Sequence, residues 1–355
     1  MDLDAEHGKL VVNFASDNAY GAWPEIIAAL GAAAEGAAAS YGDDDITARV
    51  RQKFCEIFER DVAVYPVISG TAANSLALAT VTPPHGAIFC HGESHIAVDE
   101  CGAPEFFSHG AKVVGLEGEG AKLVPATLEG ALKHFQKGFV HHSQPSALSL
   151  TQASELGTVY TPQEISALST LAHSHGMVVH MDGARFANAL AHLDCAPAEM
   201  TWRAGVDVMS FGATKNGALG AEAGIFFDPE RAGDIEYRRK KSGHLLSKMR
   251  FVSAQIEAYL AENRWLDHAR RANVLALRLA DGLNAVMGAG IAHPVEANEV
   301  FAYLPDGIVE LLRANGAKFY DWAPPLGGRT LVRLVVSSMT PKEDVDALLA
   351  LAQRR

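Results

Sequence analysis

The sequence predicts an α/β protein: a mainly parallel central sheet with helices on both faces, plus a small C-terminal α+β domain. Three observations lead there. Between Asp61 and Asp228, short β-branched runs alternate with amphipathic stretches, which is how strands joined by crossover helices read. Beyond Asp228 the alternation gives way to long helical stretches and two shorter apolar runs. At 355 residues the chain also exceeds what one ordinary compact core holds, so a large unit over residues 1–245 and a small one over 246–355 are expected.

In chain order, Ile46, Val50, Phe54, Ile57 and Phe58 recur at helical spacing behind the acidic run Asp43, Asp44 and Asp45, whose charges suit a helix N-terminus. Strands are expected at Val62 to Ile68, Ala87 to Cys90, Lys112 to Leu116, Ala147 to Thr151, Met177 to Met181, Val206 to Ser210 and Gly224 to Phe227. Thr161-Pro162-Gln163-Glu164 is a capping box with proline at the first helical position, so a helix should run from there to near Gly176. Ile235 to Leu260 reads as basic and helical, and Ala261 to Leu283 as helical. Glu299 to Leu304 and Leu331 to Val336 are apolar runs of the small domain.

Charge and composition exclude several classes. Thirty Lys and Arg against 42 Asp and Glu leave a formal charge of −12, and such a field repels polyanions, so no nucleic-acid partner is expected. The stretch Ala28 to Ala39 is broken by Gly31, Glu35 and Gly36 and falls short of the ~20 apolar residues of a membrane span. The opening Met1-Asp2-Leu3-Asp4 is acidic where a signal peptide is basic, so a cytoplasmic protein is expected. Cys55, Cys90, Cys101 and Cys195 form no CxxC pair and read as reduced thiols. His91-Gly92-Glu93 matches half of a zinc deaminase signature without the P-C-x-x-C that completes it, and no metal site is expected.

The chemistry concentrates in three places. Val206 to Gly217 is an apolar strand that breaks into a small-residue loop holding Lys215. Loops at the carboxyl ends of parallel strands bind ligands in α/β sheets, and a lysine held partly out of water suits Schiff-base chemistry. Alone, a lysine after an apolar strand is more often a solvated loop residue. Asp182 ends another apolar strand one βαβ step earlier, a spacing that can set both residues on neighbouring strand ends. A carboxylate there can keep a pyridine nitrogen protonated, although an aspartate capping the next turn would read the same way. Ser69-Gly70-Thr71-Ala72-Ala73-Asn74 opens a helix directly after a strand. Its small residues and unpaired amides make a phosphate cup without a Walker lysine, and many strand-to-helix turns look alike.

In this order the three motifs resemble the fold type I enzymes that use pyridoxal 5′-phosphate (PLP), and more narrowly the threonine aldolase and β-eliminating lyase group. The resemblance runs from about Phe14 to Val336. Ser16-Asp17-Asn18 is similar to the group's S-D-T, Tyr41-Gly42-Asp43-Asp44 to its Y-G-D-D, and His180 to Arg185 to its H-x-D-G-A-R. The resemblance implies that Lys215 carries PLP as a Schiff base, that Asp182 faces the ring nitrogen, that Gly70, Thr71 and Ala72 hold phosphate, and that His95 stacks on the ring. It further implies that Ser16, Arg185 and Arg333 clamp the substrate carboxylate, which suits a guanidinium fork. Arg333 is otherwise an awkward charge inside an apolar run.

The activity implied by the resemblance is cleavage of the Cα–Cβ bond of a β-hydroxy-α-amino acid to glycine and an aldehyde. β-Elimination, racemisation or a non-catalytic PLP-fold protein are the alternatives. A homo-oligomer, dimer or tetramer, is implied, and Arg238-Arg239-Lys240-Lys241 aligns with a region that can reach a neighbouring subunit's site. One departure stands out. Where the group has S-L-E-N-T-H-N, this chain has Ser149-Leu150-Thr151-Gln152-Ala153-Ser154-Glu155, which puts Ser154 at the place of a second active-site histidine. Serine is no base near neutral pH without help, so the hydroxyl proton must go to His95, a water or another group. A smaller side chain there is expected to line the substrate side and admit bulkier substrates such as phenylserine.

Overall fold

The computed structural model describes residues 12–353. Its large sheet has seven strands: β1 (Ala63–Val67), β2 (Gly86–His91), β3 (Lys112–Leu116), β4 (Gln144–Thr151), β5 (Val178–Gly183), β6 (Val208–Gly212) and β7 (Glu222–Phe226). All seven lie where the apolar runs predict them, with bounds shifted by up to three residues. Their order is β1-β7-β6-β5-β4-β2-β3, parallel from β3 to β6, with β7 antiparallel to both its neighbours.

Successive side chains on a strand point to opposite faces. Phe89, Leu148, Met209 and Ile225 enter the main core on one face, while their neighbours Ile88, Ala147, Val208 and Phe226 pack on the other. Both faces are therefore buried, the physical reason that these strands read as nearly continuous apolar runs.

The helix Gly70–Val81 buries every residue from Ala72 to Ala79. Its alanines and Ser75 let it pack closely over β5, β6 and β7. The helix Pro162–Ser174 has the capping box its sequence predicts, with the Thr161 hydroxyl and the Glu164 carboxylate each accepting the other's amide. It stops at His175, and Gly176 follows at φ +73°. The acidic run caps the helix Asp45–Ile57 through Asp44, whose carboxylate accepts the Thr47 amide at 2.9 Å.

One expectation is refined. Ile235 to Leu260 is two helices, Ile235–Lys241 and Arg250–Leu260, because the chain turns at Ser242 and Gly243, the latter at φ +81°. Within the basic segment of the first, Arg239 is buried over the Tyr65 ring and donates to the Pro66 carbonyl at 3.1 Å, while Lys240 and Lys241 are exposed.

The C-terminal sheet is antiparallel, in the order β10-β11-β9-β8, from β8 (Gly290–Ile291), β9 (Glu299–Pro305), β10 (Tyr320–Leu326) and β11 (Arg329–Val335). It has its own core, which also takes in Val12 and Phe14. The long helix Arg264–Asn284 spans the two cores: Trp265 and Ala269 belong to the first, Leu275 to Leu283 to the second. Among the described residues no helix is long and apolar enough to cross a membrane.

Candidate active site

At the carboxyl ends of the parallel strands lies a cavity of about 540 Å³. Gly70, Thr71, His95, Asp182, Arg185 and Lys215, each proposed from sequence, line it together with Asn74, Glu100, Glu155 and Glu222.

Lys215 sits in a one-turn 3₁₀ segment between β6 and β7. The turn is pinned from below, since the Asn216 amide donates to the Tyr259 hydroxyl and to the Trp265 carbonyl, both at 2.8 Å. Gly217 follows at φ +113°, and any side chain there would run into the Trp23 indole. Asp182 closes β5, one strand over, with Asp182 and Ser210 in register. It is 2% exposed. One oxygen accepts the Asn74 amide at 2.8 Å and the other the Ala184 backbone amide at 3.0 Å. Asn74 lies one helical turn beyond Gly70, so the helix that offers its N-terminus to the cavity also orients Asp182. The Asn74 amide donates equally to Glu100 at 2.8 Å.

His95 Nδ1 is 2.9 Å from Glu100 Oε1, and this hydrogen bond, against the opposing effect of burial, raises the imidazole above its ordinary range. Burial raises Glu100 as well, only partly offset by that same contact. Burial pushes both Glu155 and Glu222 up to about 7, with Lys215 pulling each the other way. His180, behind Asp182 and bonded to Ser149, is driven by burial down to about 4 and stays neutral.

Arg185 is already engaged. Its Nε and Nη2 reach Asp17 at 2.9 and 3.3 Å, and Nη1 reaches Glu299 at 3.2 Å. Burial works against its charge, but the two carboxylates hold it above the usual guanidinium range. A substrate carboxylate would compete with both.

Four proposed residues stand off the cavity. Ser16 caps the turn Asp17–Ala19 by accepting the Asn18 amide, and its neighbour Asn18 lines the cavity instead. Ala72 is buried with its amide bonded to Ser69 Oγ at 3.3 Å. Arg333 lies over the Trp322 ring at 5.0 Å and donates to the Ala15 carbonyl at 3.4 Å, with Nε buried and unpartnered. Ser154 turns away into its own loop, where its hydroxyl donates to the Gly120 carbonyl at 2.9 Å and meets Thr158 Oγ1 at 2.8 Å. The next residue, Glu155, takes the cavity position.

The donor set fits PLP. Gly70 and Thr71 begin a helix, where amides have no intrahelical acceptor, and nothing lies within 4 Å of where a Gly70 Cβ would be. A buried, oriented carboxylate and a lysine in the turn after the neighbouring strand complete what the ring nitrogen and the aldehyde carbon require. Sequence reasoning missed Glu100, Glu155 and Glu222, and gave Asn74 no role. Only Asn74 had a local signal, its place four residues along the helix from Gly70.

Sheet, lysine and aspartate together define a fold type I enzyme of the PLP-dependent class. The chain belongs to the β-eliminating lyase family, whose sequence model matches residues 13–306. It is 45% identical over 317 residues to a low-specificity L-threonine aldolase of Pseudomonas aeruginosa, covering 89% of this chain and 91% of that one. It is 44% identical over the same length to another from a Pseudomonas species, again covering 89% and 91%. A solved threonine aldolase of Leishmania major superposes with a TM-score of 0.91 at 28% identity, covering 97% of this chain and 99% of that one.

Proposed function

We propose that this protein is a low-specificity threonine aldolase, a PLP-dependent lyase that cleaves the Cα–Cβ bond of β-hydroxy-α-amino acids to glycine and an aldehyde. L-Threonine and L-allo-threonine are its substrates; phenylserine, expected from a small side chain at 154, loses that ground because Ser154 faces away from the cavity, and it is tested beside them. The observation that carries this reading is the cavity lined by both Lys215 and Asp182 from adjacent strands, in a family member 45% identical to such an aldolase.

Bound PLP supplies an electron sink conjugated to the substrate's α-carbon. Lys215 would hold its aldehyde carbon, Asp182 its ring nitrogen, the Gly70 and Thr71 end of the helix its phosphate, with Ala72 joining only if its amide leaves Ser69 Oγ, and His95 would cover the ring. Asn74 and the Ala184 amide keep the Asp182 carboxylate aimed. Ser16, Arg185 and Arg333 would hold the substrate carboxylate, Ser16 and Arg333 only by moving into the cavity they now stand off, and that grip would orient the scissile bond, where orientation supplies a large share of the rate. For Arg185 and Arg333 this requires the guanidinium to exchange a present partner for the substrate.

The enzyme is a cytoplasmic homo-oligomer, tetrameric by preference. Exposed Ile68 and Leu219 at the cavity mouth, 43% and 63% accessible, support a second copy lying over it. The division into a cofactor-binding unit over 1–245 and a small unit over 246–355 stays a reading of the sequence; the large core carries on past that boundary through Met249, Ile256 and Trp265 into the helix Arg264–Asn284, which both cores share.

Incubation of the PLP-loaded protein with the three amino acids should release glycine and aldehyde, and absence of glycine from all of them sinks the aldolase reading. The visible cofactor band should be reducible by borohydride and absent in Lys215→Ala.

A further inference from the structure

Resting on the aldolase reading, we propose that Glu155 is the general base of the cleavage step, taking the proton from the substrate's β-hydroxyl. The group's second histidine has no counterpart at Ser154, whose hydroxyl is spent on Gly120 and Thr158. The cavity offers five other side chains able to take a proton: His95, Glu100, Glu155, Asp182 and Glu222.

Four of these are committed. Asp182 has both oxygens bonded and belongs to the ring nitrogen. Glu100 is fully buried behind His95 and Asn74. Glu222 accepts the Thr214 amide and sits under the lysine turn. His95 has its Nδ1 tied to Glu100, a contact that raises the basicity of the imidazole, but its ring is the one assigned to cover the cofactor.

Glu155 differs in geometry. It stands in the loop after β4, at the same end of the sheet as Asp182, since Thr151 and Asp182 are in register. Its Oε1 accepts the His95 backbone amide at 3.1 Å, which fixes the carboxylate. Among the described residues its Oε2 accepts no hydrogen bond, and the side chain lines the cavity. Around it are Lys215 from the β6–β7 turn, Asp182 and Arg185 at the end of β5, Glu299 on β9, and His95. Burial against this mixed field sets its titration near 7, where a base can both accept and return a proton at neutral pH.

The step balances. Glu155 takes the hydroxyl proton, the O–H pair becomes the second C–O bond of the aldehyde, and the Cα–Cβ pair passes to the α-carbon and is delocalised into bound PLP. One proton delivered to the α-carbon then completes glycine.

The test uses Glu155→Gln, whose amide oxygen keeps the bond to the His95 amide while losing basicity, and Glu155→Ala, which loses both. Two reactions are followed on PLP-loaded enzyme: aldol cleavage, and exchange of glycine's α-proton in D₂O by NMR, which needs no β-hydroxyl base. Expected in Glu155→Gln is a fall in cleavage kcat of about 10²- to 10⁴-fold, loss of the acid limb of the kcat profile near pH 7, and glycine exchange within about threefold of the parent. Added formate should restore part of the cleavage to Glu155→Ala. Cleavage by Glu155→Gln close to the parent's, or an equal loss of exchange and cleavage, overturns the proposal, the second outcome making Glu155 a positioning residue for His95. A parent that exchanges glycine protons but releases no glycine from any β-hydroxy amino acid fails the aldolase reading itself.

Discussion

Arg185 and Asp17 form a buried two-point ion pair, Nε to Oδ2 at 2.9 Å and Nη2 to Oδ1 at 3.3 Å, which ties the N-terminal segment to the end of β5. Burial alone would raise Asp17, but Arg185 and, further off, Lys215 bring it below the usual carboxylate range. Asn298 donates to the same carboxylate at 3.2 Å, so three distant parts of the chain meet there.

Asp17→Ala should therefore destabilise strongly. Removing one partner of a buried pair leaves an uncompensated charge and costs about 3–5 kcal/mol. Glu299 remains beside Arg185 and should hold the loss toward the lower figure. Urea unfolding of the cofactor-free protein measures it; a change below about 1 kcal/mol would mean that the pair contributes nothing net.

Gly217→Ala should weaken both stability and cofactor binding. The position is at φ +113°, and the indole it would strike is held by Ser338 Oγ at 3.2 Å and by stacking on His268 at 4.1 Å, so Trp23 has little room to yield. Strain of about 1–3 kcal/mol is expected, together with displacement of the adjacent Lys215. Thermal unfolding and a PLP titration report the two effects separately.

Glu100→Gln should lower the His95 pKa, read from the imidazole C–H shift in an NMR titration of the cofactor-free protein. In the parent the Glu100 hydrogen bond, outweighing burial, raises His95 above its ordinary 6.5. A raised folded pKa means stabilisation that is complete below 6.5 and disappears as pH climbs through the folded value. The variant should thus lose that contribution, and its stability relative to the parent should be poorest on the acid side of this window.

Ser154→Ala separates a structural serine from a substrate contact. Its hydroxyl serves the loop, and Thr158 keeps a 2.6 Å bond to the Gly120 carbonyl without it. A cost of about 1 kcal/mol in stability with kcat/KM for threonine little changed is expected. A large selective change in kcat/KM among threonine, allo-threonine and phenylserine would instead place Ser154 beside the substrate.

Much of the frame was legible locally. The seven strands of the large sheet, the capped helix after Thr161, and the pair Asp182 and Lys215 each announce themselves within a dozen residues, since periodicity, capping and a charged residue closing an apolar run are near-neighbour properties. The break at 242–243 was missed because Ser-Gly inside a basic stretch interrupts amphipathic spacing only weakly.

By itself, then, the sequence determined the α/β architecture, the lysine and aspartate at adjacent strand ends, and the family motifs that go with them. Only the tertiary structure decided that Glu155 and not Ser154 reaches the cavity, that Asn74 orients Asp182, and that Arg185 is bracketed by Asp17 and Glu299. The reason is physical. Strand and helix formation depend on residues a few positions apart, whereas these contacts join segments 108 to 168 positions apart, and which side chain of a loop turns inward depends on what the rest of the fold has left unpaired.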